Sequence, residues 1–374
     1  MAGIYFHIPF CKRFCGYCDF NRSLRLQYAP RVLERMHAEL EAERLFLHDS
    51  KIRTVYFGGG TPSLLAPQTL ADLFEHTARL FDCTRTEEIT IELNPDDITP
   101  EYVAELRRTP INRLSVGIQS FDDAELRVMG RRHTAAQAEQ AVRLLQNAGY
   151  DNISIDLIFG VHGFGDDVLQ RSLDKALSLG VQHISAYHLT IEPETRFGRM
   201  LARGELQQVD EECSEREFAA VHAALTAAGF EHYEVSNYAL SGFRSRHNSS
   251  YWTGDEYLGI GAGAHSFNGS MRRWCEQSAE EYAEGVVYGQ ETLSERDRLN
   301  EYLMTSLRRI EGISTAYIAE RWGLDEAERI GRTAEAFIKA GTMVRLGAGA
   351  DERLAVPPEH FLISDAIISA LFEV

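Results

Sequence analysis

Three cysteines stand close together near the start of the chain, in the run Cys11-Lys-Arg-Phe-Cys15-Gly-Tyr-Cys18. Thiolates are the natural ligands of iron–sulfur clusters. Three of them on a [4Fe-4S] cluster leave one iron open, and an open position is what a metal needs to take a further ligand. The amino and carboxylate groups of S-adenosylmethionine (SAM) can chelate such an iron. One electron from the cluster can then cleave the sulfonium C–S bond and release a 5′-deoxyadenosyl radical. Protein-held clusters reach potentials of about −700 mV, the reducing end that this step needs. The competing reading is a structural zinc site completed by a residue such as His7. Zinc sites usually set a CxxC pair against a second pair farther along. No second pair exists: Cys83, Cys213 and Cys275 are scattered and read as small buried hydrophobes.

Residues of this kind need a scaffold, and the first half of the chain supplies one. A short β-rich run followed by an amphipathic stretch recurs about six times, each unit roughly 30 residues long, the size of a βαβ crossover. The pattern predicts strands at Gly3–Ile8, Thr54–Phe57, Glu88–Leu93, Arg113–Gln119, Asn152–Phe159 and His183–Thr190. The helices between them are expected at Tyr28–His48, Pro67–Phe81, Pro100–Arg107, Thr134–Ala148 and Asp166–Leu179. Runs such as IYFHI and VYFGG are nearly continuously apolar, as buried parallel strands should be. Six such units predict an α/β fold, either a partial barrel or a doubly wound sheet. In both, ligands sit at the C-terminal ends of the strands. The unusual residues fall there: the cysteines after the first strand, Gly58-Gly59-Gly60-Thr61-Pro62 after the second, Glu92-Leu93-Asn94-Pro95 at the third, Gln119-Ser120-Phe121 at the fourth, and Asp156 within the fifth.

From about Asp210 the pattern changes. A helix is expected at Glu211–Ala228, a β-rich run at Tyr233–Ala239 and a glycine-rich segment at Tyr257–Phe267. Helices follow at Ser294–Arg309, Ser314–Trp322 and Asp325–Ala340, then β-like runs at Met343–Leu346 and Arg353–Val356, and a final helix at Leu362–Phe372. Three helices and a hairpin suggest a winged-helix-like module serving as a packing or interaction surface. The expected division is 1–210 for the barrel, 211–293 for a connecting region and 294–374 for the helical module.

Composition narrows the partners. The formal net charge is −18, from 38 basic and 56 acidic residues, which repels phosphate backbones and argues against nucleic acid. No apolar run approaches the roughly 18 residues of a membrane-spanning helix. The first residues lack a basic stretch followed by an apolar one, so a secretory signal is not expected. Six cysteines in 374 residues are too few for a disulfide scaffold, and the expectation is a cytoplasmic protein.

Beyond the cysteines, Tyr5-x-His7-Ile8-Pro9-Phe10-Cys11, Gly58-Gly59-Gly60-Thr61-Pro62-Ser63, Gly117-Ile118-Gln119-Ser120-Phe121 and Ile191-Glu192-Pro193 resemble the HemN-like group of the radical-SAM superfamily. The resemblance covers almost the whole chain. It implies a partial (β/α)6 radical-SAM barrel with a C-terminal, mainly helical, winged-helix-like domain. It implies a [4Fe-4S] cluster on Cys11, Cys15 and Cys18. Tyr5 and Tyr17 would line the SAM pocket, and the turn at Gly59, Gly60 and Thr61 would present backbone groups to the methionine end, since glycine permits close approach. Glu92, Gln119, Arg131 and Asp156 match positions that hydrogen-bond SAM, or a second SAM in the oxidases. Taken singly, these read first as a plain turn, solvated charges or helix caps; their placement beside the cysteines and near the strand ends is what favours the SAM pocket.

The group has two branches, oxygen-independent coproporphyrinogen III oxidases and haem chaperones. The oxidases carry a further cysteine two positions after the third ligand, where this chain has Phe20. They also carry an N-terminal extension, whereas here the first strand begins almost at once. Third, His247-Asn248-Ser249-Ser250-Tyr251-Trp252 matches the HNxxYW motif of the chaperone branch, associated with haem. Neutral imidazole is a common haem ligand, and tyrosine and tryptophan offer flat apolar faces to a macrocycle. The bland alternative is a capping or core histidine beside packed aromatics, and the serine- and glycine-rich surroundings suggest a loop. The resemblance therefore implies haem, haem-accepting membrane proteins and an electron donor such as a flavodoxin or ferredoxin as partners. Lys12, Arg13, Arg22 and Arg25 could dock that donor, or simply be solvated. The alternative functions are the oxidase, a radical decarboxylase, or a radical-SAM enzyme on another substrate. One departure stands out: after the fifth strand His162 replaces the proline of the family's Gly-Leu-Pro-Gly turn, which leaves a plain turn or a further ligand.

Overall fold

The computed structural model describes residues 1–373. Six parallel strands lie side by side in chain order: β1 (Ala2–Ile8), β2 (Ile52–Gly59), β3 (Glu88–Leu93), β4 (Arg113–Gln119), β5 (Ile153–Phe159) and β6 (His183–His188). The crossovers carry helices α1 (Ala29–Ala42), α2 (Pro67–Leu80), α3 (Pro100–Leu106), α4 (Asp123–Met129), α5 (Ala135–Asn147) and α6 (Asp166–Ser178). The predicted β3 and β4 boundaries hold to the residue. Helix α4 was not expected: it is one short piece, capped by Asp122, whose carboxylate accepts from the amides of Ala124 and Glu125.

Alternation along the strands separates two environments. Ile4, Phe6, Ile8 and Phe57 face the helices and join Val32, Met36 and Leu40 of α1 in the main core, with Phe6 and Phe57 stacked at 5.1 Å. The opposite face is polar. Parallel register sets Tyr5 beside Tyr56, Glu92 beside Ser115, and Gly117, Asp156 and Ser185 in one row.

The chain after β6 extends this sheet at both edges. Beyond α7 (Arg196–Ala202) and α8 (Glu211–Ala227), the run expected at Tyr233–Ala239 is a hairpin, β7 (Glu231–Glu234) and β8 (Asn237–Ala239), with β8 antiparallel to β6. Helix α9 (Arg246–Thr253) follows. The glycine-rich segment then forms β9 (Tyr257–Ile260), parallel to β1, and β10 (His265–Phe267), continued by β11 (Met271–Trp274), α10 (Ala279–Glu284) and β12 (Gly289–Thr292). The result is one twelve-stranded sheet.

Helix α9 contains the HNxxYW run, so that segment is helical rather than the expected loop. Ser245 caps it, accepting from the Asn248 amide. The Glu88 carboxylate at the start of β3 takes the amides of Arg246 and His247, both at 2.9 Å. An acidic group at a helix N-terminus satisfies orphan donors and meets the positive end of the dipole.

The C-terminal part packs α11 (Glu295–Ser306), α12 (Thr315–Trp322) and α13 (Leu324–Ala340) against a small sheet of β13 (Ile313–Ser314), β15 (Arg353–Ala355) and β14 (Val344–Leu346), closed by α14 (Ser364–Leu371). This helix, strand, helix, helix, hairpin order is winged-helix-like, as expected. Among the described residues no helix is long and apolar enough to cross a membrane.

Candidate functional site

The loop after β1 carries the three cysteines, each half-buried. Backbone bonds pin it at several points: Cys11 N–H to Ser23 O at 2.9 Å, Gly16 N–H to Met129 O at 2.8 Å, and Phe197 N–H to Gly16 O at 2.8 Å. Cys11, Cys15 and Cys18 line one wall of a cavity of about 380 Å³ at the C-terminal ends of the strands. Thr61 Oγ1 donates to Cys11 Sγ at 3.5 Å, and Arg131 Nη1 donates to Cys15 Sγ at 3.4 Å. Burial pushes the Cys18 thiol up to about 11 and raises Cys11 in the same direction. Among the described residues no three His, Cys, Asp or Glu side chains converge as a single metal ion would require.

The rest of the cavity is built from the strand ends. Gly59 has φ of +108°, and the Gly60 amide donates to Ile8 O at 2.9 Å. A Cβ on Gly60 would meet Phe10 O at 2.7 Å and Ile8 O and Phe10 N at 2.9 Å. Those are backbone atoms next to Cys11, which cannot swing aside. Gly60→Ala is therefore expected to displace the cysteine loop at a cost on the order of 1–3 kcal/mol, read as reduced iron retention after reconstitution. Gly331→Ala is the control, because a Cβ there meets nothing within 4 Å; equal iron loss in both variants would refute the close-approach argument.

Arg131 is held by Asn94 Oδ1 at 2.6 Å and Gly117 O at 2.5 Å, while its Nε, also buried, has no partner. Glu92 accepts from Tyr56 Oη at 2.8 Å and from the Gly59 amide at 3.0 Å. Burial, and Asp156 nearby, raise its carboxyl to about 7; burial raises Asp156 to about 6. Gln119 has φ of +75°, the only non-glycine in the left-handed region among the described residues, and sits at a bulge against β5. Such strain is tolerated where the surroundings over-determine it, commonly at functional sites. Tyr17 lines this cavity as well.

Tyr5 lines a second cavity, of about 710 Å³, with His7, Tyr251, Tyr257, His265 and Cys275. The two cavities share Asp19, Phe20, Gly59 and Glu92. Phe20 is 61 % exposed at this shared rim.

His247 lines neither cavity. It is fully buried, and both ring nitrogens are engaged, Nδ1 with Thr54 Oγ1 at 2.8 Å and Nε2 with Tyr251 Oη at 2.9 Å. Its ring stacks on Tyr56, with centroids 4.9 Å apart. Burial lowers its pKa to about 3. His162 is exposed and lines neither cavity. The structure thus brings together Cys11, Cys15, Cys18, Tyr17, Gly59, Gly60, Thr61, Glu92, Gln119, Arg131 and Asp156, with Tyr5 next door and His247 apart. Asn94 stands out in the sequence only as part of the run that ends β3, and nothing there assigns a role to it, to Tyr257 or to His265. The Asn94-Pro95 break after β3 and the glycine-rich run ending at His265 were the available signals.

A sheet of parallel strands with a three-cysteine loop after the first strand defines a radical-SAM protein, and the Radical SAM superfamily model matches residues 5–176. The haem chaperone HemW of Mycobacterium tuberculosis is 36% identical over 99% of this chain and 94% of its own length. HemW of Lactococcus lactis is 35% identical, covering 83% of this chain and 82% of the relative. The chain belongs to the HemW family. Among solved structures, coproporphyrinogen III oxidase (HemN) from Escherichia coli superposes with a TM-score of 0.83 at 19% identity, over 99% of this chain and 90% of that one, a likeness of fold.

Proposed function

We propose that this protein is a haem chaperone that binds haem and passes it to haem-requiring membrane proteins, and that it holds a [4Fe-4S] cluster and SAM beside the haem. The observation that carries the reading is the match, over 99% and 83% of this chain, to relatives named haem chaperones. Phe20, standing at the position of the oxidases' extra cysteine and at the rim common to both cavities, favours this branch over the decarboxylase.

The residues suit the groups. Three thiols share one wall, donors from Thr61 and Arg131 point at two of the sulfurs, and a glycine turn leaves a cradle that a Cβ would fill. Cys11, Cys15 and Cys18 would hold the cluster; the cluster supplies a low-potential electron and an open iron. Tyr17, Gly59, Gly60, Thr61, Glu92, Gln119, Arg131 and Asp156 would surround SAM, with Tyr5 beyond Glu92. A low-potential donor such as a flavodoxin or ferredoxin would have to reach the exposed side of the cysteine loop.

The test is anaerobic reconstitution followed, on one sample, by haemin titration and assay for porphyrin product from coproporphyrinogen III. Haem uptake without decarboxylation is expected; sustained decarboxylation would replace the chaperone by the oxidase.

Glu92 gives the SAM site a pH dependence. The cationic sulfonium group of SAM favours the ionised carboxylate, so the bound-state pKa lies below the free value of about 7. Affinity must then rise with pH until the free carboxyl is fully ionised. Between about pH 6 and about pH 8 the expected gain is up to about tenfold, one pKa unit being 1.36 kcal/mol. Stability of the ligand-free protein moves the other way over about pH 4.5–7, because the folded state binds the extra proton. Calorimetry on wild type and Glu92→Gln at the two pH values checks this; a wild-type slope that survives in the variant would assign it elsewhere.

A further inference from the structure

We propose that the second cavity is the haem berth and that His265, not His247, is the histidine that ligates the haem iron. The inference rests on the haem-chaperone reading and adds the site and the ligand to it.

Three histidines stand in or next to this cavity, and their hydrogen bonds separate them. His7 Nε2 meets Asn21 O at 2.9 Å and its Nδ1 meets Tyr5 Oη at 3.1 Å. His247 is sealed between Thr54 and Tyr251. A ring nitrogen cannot bind iron while it keeps a hydrogen-bond partner, and freeing either ring would leave buried groups unpaired. His265 is different. It is exposed on β10, lines the cavity, and its imidazole makes no hydrogen bond among the described residues. Its ring stacks on Trp274 with centroids 6.4 Å apart and planes 25° from parallel, which orients the imidazole without using a nitrogen. Partial desolvation where the ring meets the cavity wall, and then Arg272, lower its pKa, so the neutral, ligating form prevails at neutral pH.

The cavity has room and aromatic faces for a flat macrocycle; the carboxylates of Asp19, Glu92 and Glu276 also line it, so the anionic propionates would have to lie toward solvent. Its volume of about 710 Å³ falls within the range of small-molecule pockets, and Tyr5, Tyr251 and Tyr257 give it aromatic walls. Phe20 at the shared rim would touch both haem and the contents of the cysteine-lined cavity. His247 then acts as a positioning residue: its bond to Tyr251 Oη fixes one wall of the berth. Cys275 also lines the cavity, but its thiol donates to Gln277 Oε1 at 3.4 Å and burial raises its pKa, which disfavours the thiolate.

The test titrates the full-length, cluster-reconstituted protein with haemin anaerobically, following the Soret band and the low-temperature EPR spectrum. Wild type is compared with His265→Ala, His247→Ala and Cys275→Ser. His265→Ala is expected to lose the histidine-ligated spectrum and to weaken binding at least about tenfold, the lower bound for disturbing even an outer partner at a metal site. Added imidazole should restore the spectrum. His247→Ala should keep the wild-type spectrum in whatever fraction is folded. The exposed His265 position should leave the unfolding midpoint unchanged, so a failed fold cannot imitate the result. An unchanged spectrum and affinity in His265→Ala, no rescue by imidazole, or a thiolate spectrum that Cys275→Ser abolishes would each overturn the assignment while haem binding by wild type left the chaperone reading intact. Wild type that takes up no haem would defeat that reading itself.

Discussion

Alanine in place of any one of Cys11, Cys15 or Cys18 is expected to leave anaerobically reconstituted protein without its cluster, iron falling from about four per chain to less than about one. The reasoning is geometric. The loop after β1 has little regular structure and is tied down by a few backbone bonds, those of Cys11 to Ser23 and Gly16 to Met129 among them. Each tie fixes a different stretch of the loop, so the three thiols cannot be exchanged for one another. No other cysteine lines the first cavity; Cys275 lines only the second, and Cys83 and Cys213 line neither. With two thiolates a four-iron cluster has two irons open to solvent, and metal binding no longer offsets the cost of ordering the loop. SAM binding should fall in parallel, because its chelating iron goes with the cluster, although Glu92 and Arg131 are untouched. Iron and sulfide determination together with SAM calorimetry on each variant, with Cys83→Ala as control, measures this. A stoichiometric cluster in Cys15→Ala would remove that residue from the ligand set.

Why this site could be read in advance, and the second cavity could not, is a matter of which interactions are local. The cysteine spacing and the residues closing β1 to β5 sit at the ends of apolar runs, and a parallel strand buried on both faces shows itself as such a run. Once the strands are drawn, the strand-end rule places Gly59, Glu92, Gln119 and Asp156 around one point. Helix α9 obeys no such rule. Its start is fixed by Glu88, which is remote in sequence, and its composition, rich in serine, is what an isolated loop would have. Tertiary satisfaction of the first amides overrode weak local propensity. The second cavity depends on β9 pairing with β1 and on the turn into β10, a closure between residues about 250 apart that no local pattern announces. A motif marks His247 and nothing local marks His265, for the same reason: a sequence shows which imidazoles exist and not which are already hydrogen-bonded.

His247→Ala is expected to destabilise the protein by about 3–5 kcal/mol, the range for deleting a large buried ring. The ring is fully buried against Tyr56, and Gly3 leaves room for it: a Cβ there would stand 3.3 Å from its Cε1 and Nδ1. Removing it empties that notch and strands the hydroxyls of Thr54 and Tyr251, each worth about 1–3 kcal/mol when left unpaired. Tyr251→Phe keeps the ring and strands only His247 Nε2, so its cost should be about 1–3 kcal/mol, below that of His247→Ala. The pH dependence separates a buried neutral imidazole from a generic cavity. The folded pKa is about 3 against 6.5 for the free side chain. Below about pH 6.5 the unfolded chain binds a proton that the folded chain refuses, so this residue's contribution falls as pH falls, by about 1.4 kcal/mol per unit at most. Other buried histidines, such as His183 and His232, shift in the same direction. The difference between wild type and His247→Ala cancels them and should shrink by roughly 2 kcal/mol between about pH 7 and about pH 5. Urea unfolding at both pH values measures it. A difference that stays constant would mean that His247 is solvated or charged in the folded protein, and therefore free to meet iron after all.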